Sequence, residues 1–409
     1  MRRPAAGRVR PLCGAALAAA LLLPLAAPAA VAADGKGQEL PGMPSALDPD
    51  AAQVECTPAS GEKAKKQDWS RQRLDLDRVH RHGTGAGVTV ALIDTGVATD
   101  AAGLGDRVTA QAAAGEDCVG HGTFLAGLIV GAGEGEARLT GVAPGAELLA
   151  LRGTDERGEP AASLVTQAVR AATDAGADVI AVGVALPERD EELTEAVAAA
   201  REAGAVVVAA ATPDPPSRGD TDEIPARTYW PAGEPGVLSV ADMLPSGARP
   251  DGVLPTDGVD LVAPGAGVVS GGPRGDGHYL GAGASVATAY VAGAAAVVRA
   301  DRPDDTPEEV VHRLTATAYP ADIPQLDAYA AVTTVFGGAD DAASRTDAAS
   351  APVAVRDTAG ADSATARATV FVLLGTAGVL GALWVAFALP RARARGWRPA
   401  EAGGESARS

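Results

Sequence analysis

The sequence predicts an α/β fold, a parallel sheet with helices on both faces, and two observations carry that expectation. Short apolar runs of strand type recur at 88–93, 147–151, 179–184 and 206–211. Runs of helical type stand between them at 121–130, 162–174 and 191–203, the last ending at Gly204, a residue that commonly terminates a helix. Strands of four to seven apolar residues that alternate with helices imply a sheet covered on both sides. No internal repeat interrupts the pattern. In such sheets ligands sit beyond the carboxyl ends of the strands, and Asp94 lies there, directly after the first strand.

The two ends of the chain read as targeting segments. Arg2, Arg3, Arg8 and Arg10 precede an apolar run from Leu12 to about Ala30, followed by small residues up to Ala33 and then Asp34. That order of charge, apolar core and small-residue site is that of a secretory signal peptide over 1–33. Near the other end, 368–389 reads ATVFVLLGTAGVLGALWVAFAL, 22 residues without a charge, long enough for a bilayer core of ~30 Å. Arg391, Arg393, Arg395 and Arg398 follow it, so the positive-inside rule expects a cytoplasmic tail at 390–409 and everything from Asp34 to about Arg367 outside. Between these ends, 34–70 reads as an extension that packs on a domain without forming one, 71–336 as the folded unit, and 337–367 as a flexible tether rich in Ala, Asp, Ser and Thr.

Charge and cysteine usage narrow the partners. The net charge is -18, and removing 1–33, which holds four Arg and no acid, leaves the mature chain near -22. Such a chain repels phosphate backbones, which argues against nucleic acid as a partner. Cys13 leaves with the signal peptide, and the two that remain, Cys56 and Cys118, are an even number in an oxidising location, where a pair is the natural reading.

Five histidines occur, and His80, His82, His278 and His312 sit among charged or Gly-rich residues where solvated or structural roles are the default. His121 stands in GHGT at 120–123, where small neighbours let another backbone or a substrate approach the ring. Ser285 stands in GASVA at 283–287 ahead of an apolar helix-like run, a position that suits a helix cap and an exposed nucleophile equally. The joint pattern is more specific than its parts. Asp94, His121 and Ser285 occur in the order Asp, His, Ser that one convergent form of the catalytic triad uses.

VALIDTGV at 90–97, GHGTFLAGLIVG at 120–131, GVAPGAELLALR at 141–152, VDLVAPGAGV at 259–268 and GAGASVATAYVAGAAA at 281–296 together resemble the subtilisin-like serine peptidases. The wider order of signal peptide, peptidase domain, tether, single span and basic tail resembles the mycosins of actinobacterial type VII secretion systems. That resemblance implies an extracellular, membrane-anchored endopeptidase with Asp94, His121 and Ser285 as its triad, and a Cys56–Cys118 bond tying the extension to the domain. It also implies a protein or peptide substrate, type VII secretion components of the membrane as partners, and no metal or organic cofactor for the chemistry.

Two departures from the family pattern bear on rate. Relatives supply an oxyanion-hole Asn from a V-V-A-A-G-N run, and the corresponding stretch here is VVVAAATPD at 206–214, with Thr212 or Pro213 in its place according to the alignment. Relatives also carry N-x-S-x-G where this chain has Gly183 for the Ser and Ala185 for the Gly, at positions that pair with substrate. Two expectations follow: an attenuated Asp-His-Ser endopeptidase, or a scaffold subunit that keeps the fold to stabilise a secretion complex.

Overall fold

A seven-stranded parallel sheet in the order β2-β3-β1-β4-β5-β6-β7 organises the chain. Its strands are β1 (Thr89–Asp94), β2 (Val108–Ala110), β3 (Glu147–Arg152), β4 (Val179–Val182), β5 (Val206–Ala210), β6 (Leu238–Met243) and β7 (Leu261–Pro264). The computed structural model describes residues 40–133, 135–214, 225–336 and 359–396. The expected signal peptide at 1–33, residues 337–358 of the expected tether and residues 397–409 of the expected tail lie outside the described residues.

The strands show the apolar character expected of a sheet buried on both faces. Every residue of β4 (VIAV) and β5 (VVVAA) is buried. Alternation then divides them between two layers. Val90, Leu92, Val179, Ala181, Val206 and Val208 face α3 (His121–Val130) and α6 (Ala284–Asp301). Ala91, Ile93, Ile180, Val182, Val207 and Ala209 face α4 (Ala162–Asp174) and α5 (Glu191–Glu202). Helix α5 starts where Asp190 accepts a hydrogen bond from the Leu193 amide, and Gly204 beyond it has φ +97°, a left-handed conformation that glycine adopts without strain.

The structure trims one expected strand. The apolar run 179–184 pairs only to Val182, because Leu186 turns away to exchange backbone hydrogen bonds with Trp230 at 2.8 and 2.9 Å. Two edge elements carry too little apolar signal to read from sequence: the short outer strand β2 and the hairpin of β8 (Ala266–Gly271) and β9 (His278–Ala282). Four short helices complete this unit: α1 (Trp69–Leu74), α2 (Leu76–Val79), α7 (Pro307–Ala316) and α8 (Ala328–Thr333).

Helix α6 has no polar face. Its residues from Ala284 to Val298 are all buried, as expected of a helix that is apolar all round, and it contacts β4, β5, β6 and β7. Small side chains make this close approach feasible. A Cβ at Gly293 would lie 2.7 Å from Cβ of Val142, so only glycine fits there without movement.

Residues 40–68 carry no named helix or strand; they meet the β8–β9 hairpin near residues 41–43 and 62–64 and, between these, the loop at Arg157, where the Leu47 amide donates to Arg157 O. The Met43 amide donates to Leu280 O at 2.7 Å, the Leu280 amide to Pro41 O at 2.8 Å, and the His278 amide to Glu62 O at 2.7 Å. Arg71 is buried at the junction, held by Asp68 and by the carbonyls of Thr140 and Val269 at 2.8 Å. Cys56 and Cys118 are bonded, and next to them Thr57 donates from its amide to Cys118 O and from its hydroxyl to Val119 O. The extension is thereby fixed three residues ahead of His121.

Residues up to Val335 form one compact unit and those from Phe336 a second. The second contains helix α9 (Ala359–Ala394), within which the apolar run 368–389 falls. Among the described residues no helix is long and apolar enough to cross a membrane; the side chains of residues 368–374, 377 and 389 lie outside the described residues.

The bond closes a sequence separation of 62 residues, a loop for which chain entropy gives about 4 kcal/mol of stability. Cys56→Ser should lower the unfolding free energy by about that amount, and mass spectrometry of non-reduced peptides should recover Cys56 and Cys118 as one linked species. Two free thiols in the wild type would refute the pairing.

Candidate active site

Adjacent strands β1, β4 and β5 end on one edge of the sheet, and the residues just past their carboxyl ends meet the N-termini of α3 and α6 there. Strand order reverses between β1 and β4, which makes this edge a topological switch point, the usual ligand position in open α/β sheets. Asp94 is the last residue of β1, His121 the first of α3, and Ser285 the second of α6.

Two glycine loops interlock to hold the histidine. A Cβ at Gly122 would overlap the carbonyl oxygen of Gly96, so the start of α3 can press against the loop after Asp94 only because residue 122 has no side chain. Gly120 and Gly96 adopt φ of +93° and +104°, again a glycine requirement. Asp117, absent from the expected site residues, ties the two loops together. Its buried carboxylate accepts from Thr95 Oγ1 at 3.0 Å, the Gly120 amide at 2.7 Å, and the Thr123 amide and hydroxyl at 2.9 and 2.7 Å. Burial pushes its carboxyl up from the usual range, and those four donors oppose that shift. An acidic residue four positions ahead of the histidine is the only sequence signal it leaves.

The structure brings Asp94, His121 and Ser285 into one chain of contacts, all of them buried. Asp94 Oδ1 accepts from the Thr95 amide at 2.8 Å and from His121 Nδ1 at 2.7 Å. His121 Nε2 lies 3.1 Å from Ser285 Oγ. Gly183, just past β4, sits against the carboxylate, and a Cβ there would overlap Asp94 Oδ2. That oxygen is buried without a hydrogen-bond partner among the described residues. Ala185 is buried two residues further on.

Sequence reasoning placed Thr212 or Pro213 opposite the nucleophile, and the structure brings the next residue there instead. Thr212 is buried and Pro213 half-buried, while Asp214 turns its carboxylate onto Ser285. The Ser285 amide donates to Asp214 Oδ1 at 3.1 Å and the Ser285 hydroxyl to Asp214 Oδ2 at 2.6 Å. The same Oδ2 lies 3.0 Å from His121 Nε2. Proline offers neither a side-chain donor nor an amide, so the first polar group the loop can present is the Asp214 side chain. Gly283 makes room for it: at φ +134° it packs under the carboxylate, and a Cβ there would overlap Asp214 Oδ1.

His121 thus has a carboxylate at each ring nitrogen. Burial by itself would pull its pKa down, but the charge of Asp94, the hydrogen bond that the ring donates to Asp214 and their remaining attractions outweigh it and hold the imidazole well above its ordinary range. With Asp94, Asp117, Asp214 and Asp242 around the sheet edge, the described residues contain no group of three or more His, Cys, Asp or Glu arranged to hold a metal ion.

The Gly96–Gly122 apposition is testable without any assay of function. Gly122→Ala forces a methyl group into a backbone oxygen that cannot rotate away, and overpacking of that kind costs about 1–3 kcal/mol. Its thermal midpoint should fall accordingly, whereas Gly204→Ala, whose Cβ would meet open space, pays only the left-handed φ and should fall less. Equal midpoints for Gly122→Ala and wild type would show that the loops are not packed in this way.

The chain has recognisable relatives. Residues 85–358 match the model of the subtilase family, which is that of the S8 peptidases. Mycosin-1 of Mycobacterium tuberculosis is 32% identical over 306 residues, covering 61% of this chain and 68% of that protein. Subtilisin E of Bacillus subtilis is 31% identical over 278 residues, covering 66% and 71%. Among solved structures, the MycP3 protease from the type VII (ESX-3) secretion system superposes with a TM-score of 0.61 at 30% identity, covering 73% of this chain and 98% of that one. On the extent of the family match and the shared order of its motifs, this chain belongs to the subtilase family of serine peptidases and is similar to the mycosins.

Proposed function

We propose that the protein is a membrane-anchored serine endopeptidase of type VII secretion whose domain faces the outside of the cell. The contact chain from Asp94 through His121 to Ser285 Oγ, at 2.7 and 3.1 Å, is the observation that carries this reading. Ser285 Oγ attacks a peptide carbonyl and passes its proton to His121 Nε2, which delivers it to the departing amine as the C–N bond breaks. Asp94 holds Nδ1–H and offsets the imidazolium charge that forms. Water then repeats the sequence on the acyl-enzyme and frees Ser285.

The secretion context rests on likeness to mycosins and to a solved protease of a type VII system. Membrane attachment rests on the 22 uncharged residues at 368–389, which fall inside α9, and on the arginines that follow them. Gly183 and Ala185 are placed in this reading along the substrate strand, beside Asp94.

A scaffold role has one specific observation in its favour: the Asp214 carboxylate accepts the Ser285 amide, the backbone donor that a tetrahedral oxyanion would need. The two readings separate on covalent chemistry. A fluorophosphonate probe should label the full-length protein at Ser285, and Ser285→Ala should abolish both labelling and peptide cleavage. No labelling of folded wild type at any pH would leave the scaffold. For topology, protease added to intact cells should remove the domain and spare the tail, and a protected domain would overturn the orientation.

A further inference from the structure

The Asp214 carboxyl occupies the place where a neutral donor is needed, and the geometry points to a way in which it serves the reaction. Resting on the peptidase reading above, we infer that Asp214 is a catalytic residue: it shares one proton with His121 and, in its protonated form, is the side-chain donor to the oxyanion. It touches the reacting atoms directly, at 2.6 Å from Ser285 Oγ and 3.0 Å from His121 Nε2.

Proton counting shows why one shared proton is required. When it rests on His121, the imidazolium has no lone pair for the serine proton, and the serine hydroxyl points to Asp214 instead. When it rests on Asp214, His121 is neutral and free to act as base, and the carboxylic acid can donate. Both arrangements carry the same number of protons, so the competent state is a tautomer of the resting ion pair. In that state Ser285 Oγ bonds to the carbonyl carbon, its proton passes to His121 Nε2, and the carbonyl electron pair moves onto oxygen. For that oxygen to be met, the Ser285 amide must exchange Asp214 Oδ1 for it as the carboxyl withdraws, leaving the amide and the Asp214 hydroxyl as its two donors. Removing the proton leaves a carboxylate facing a developing oxyanion, and like charges in a buried site are strongly unfavourable. Adding a second proton gives a charged His121 beside a neutral Asp214, and the base is lost.

The surroundings set the balance between the two tautomers. From α3, His121 Nε2 lies 3.0 Å from one carboxyl oxygen of Asp214, and from the N-terminus of α6 the Ser285 amide donates to the other. From β1, Asp94 faces the other side of the ring; from β6, buried Asp242 repels Asp214, and Arg249 at 3.1 Å from Asp242 offsets part of that charge. Gly283 is the packing counterpart of this arrangement, because any side chain there would expel the carboxyl from the nucleophile.

An Asp-containing site of this kind has a bell-shaped rate profile whose two limbs belong to the His121–Asp214 pair, whereas an Asn at 214 leaves only the limb of His121. The test measures the rate of fluorophosphonate labelling at Ser285 against pH in the full-length wild type, Asp214→Asn and Asp214→Ala, with His121 titrated by NMR in each. Wild-type labelling should fall about tenfold per pH unit on the alkaline side, Asp214→Asn should hold a plateau there, and Asp214→Ala should hold a plateau about 10²- to 10³-fold lower than the Asn variant. His121 should lose its proton at a lower pH in both variants, because the attraction of the Asp214 carboxylate is removed. Identical alkaline limbs in wild type and Asp214→Asn, or a His121 titration unmoved by either substitution, would overturn the inference while leaving the triad intact. Folded wild type and Asp214→Asn that both never label would overturn the peptidase reading and with it the catalytic role of Asp214, whereas a wild type that labels beside a folded Asp214→Asn that does not would overturn the donor role assigned to the carboxyl.

Discussion

The burial of α6 is the constraint from which the site follows. A helix of Ala, Val and Gly with no polar face must be covered on every side, and the only surface large enough is the sheet face of β4 to β7. Once packed there, its direction is fixed, and its N-terminus arrives at the carboxyl edge of the strands. Ser285 is therefore presented to the switch point by helix packing, with Gly283 at φ +134° making the turn into the helix. The other partner, α3, is constrained in the same way by the Gly96–Gly122 contact, so backbone apposition places His121 and the contacts at its two ring nitrogens orient the ring. Asp117 then supplies the acceptors for the exposed amides of that helix start, which would otherwise be buried without partners.

That division explains what the sequence showed and what it withheld. Strands β1, β3, β4 and β5 and helices α3 to α6 are legible because burial on both faces demands apolar runs, and their bounds differ from the structure by at most three residues, whereas β6 and β7, equally buried, are absent from the expected strands. Edge elements such as β2 and the β8–β9 hairpin contact less of the core, so their composition carries little signal. Asp94, His121 and Ser285 are legible because each sits beside glycines that close packing requires. Asp214 is different in kind. Nothing in TPD marks the aspartate over the threonine, since which side chain reaches the nucleophile depends on how the loop leaves β5 and on the space above Gly283. Those are tertiary facts, and an alignment that slides by one residue exchanges a hydroxyl, an imino ring and a carboxylate.

The same reasoning bears on Gly183 and Asp94. Where relatives have serine, a hydroxyl could meet the second oxygen of the triad carboxylate; here Gly183 leaves Asp94 Oδ2 buried without a partner among the described residues. An unpaired carboxylate oxygen in a buried site raises the local negative potential. That potential favours the charged imidazole. Gly183 and Asp214 act on opposite sides of one ring: the first leaves an Asp94 carboxylate oxygen unpaired among the described residues, and the second sets another carboxylate at His121 Nε2. A hydroxyl supplied at 183 would meet Asp94 Oδ2 only if the backbone shifted, because its Cβ has no room beside Asp94. Asp94, His121 and Asp214 therefore form one contact network at the edge of the sheet, in which Ser285 Oγ lies against both His121 Nε2 and Asp214 Oδ2.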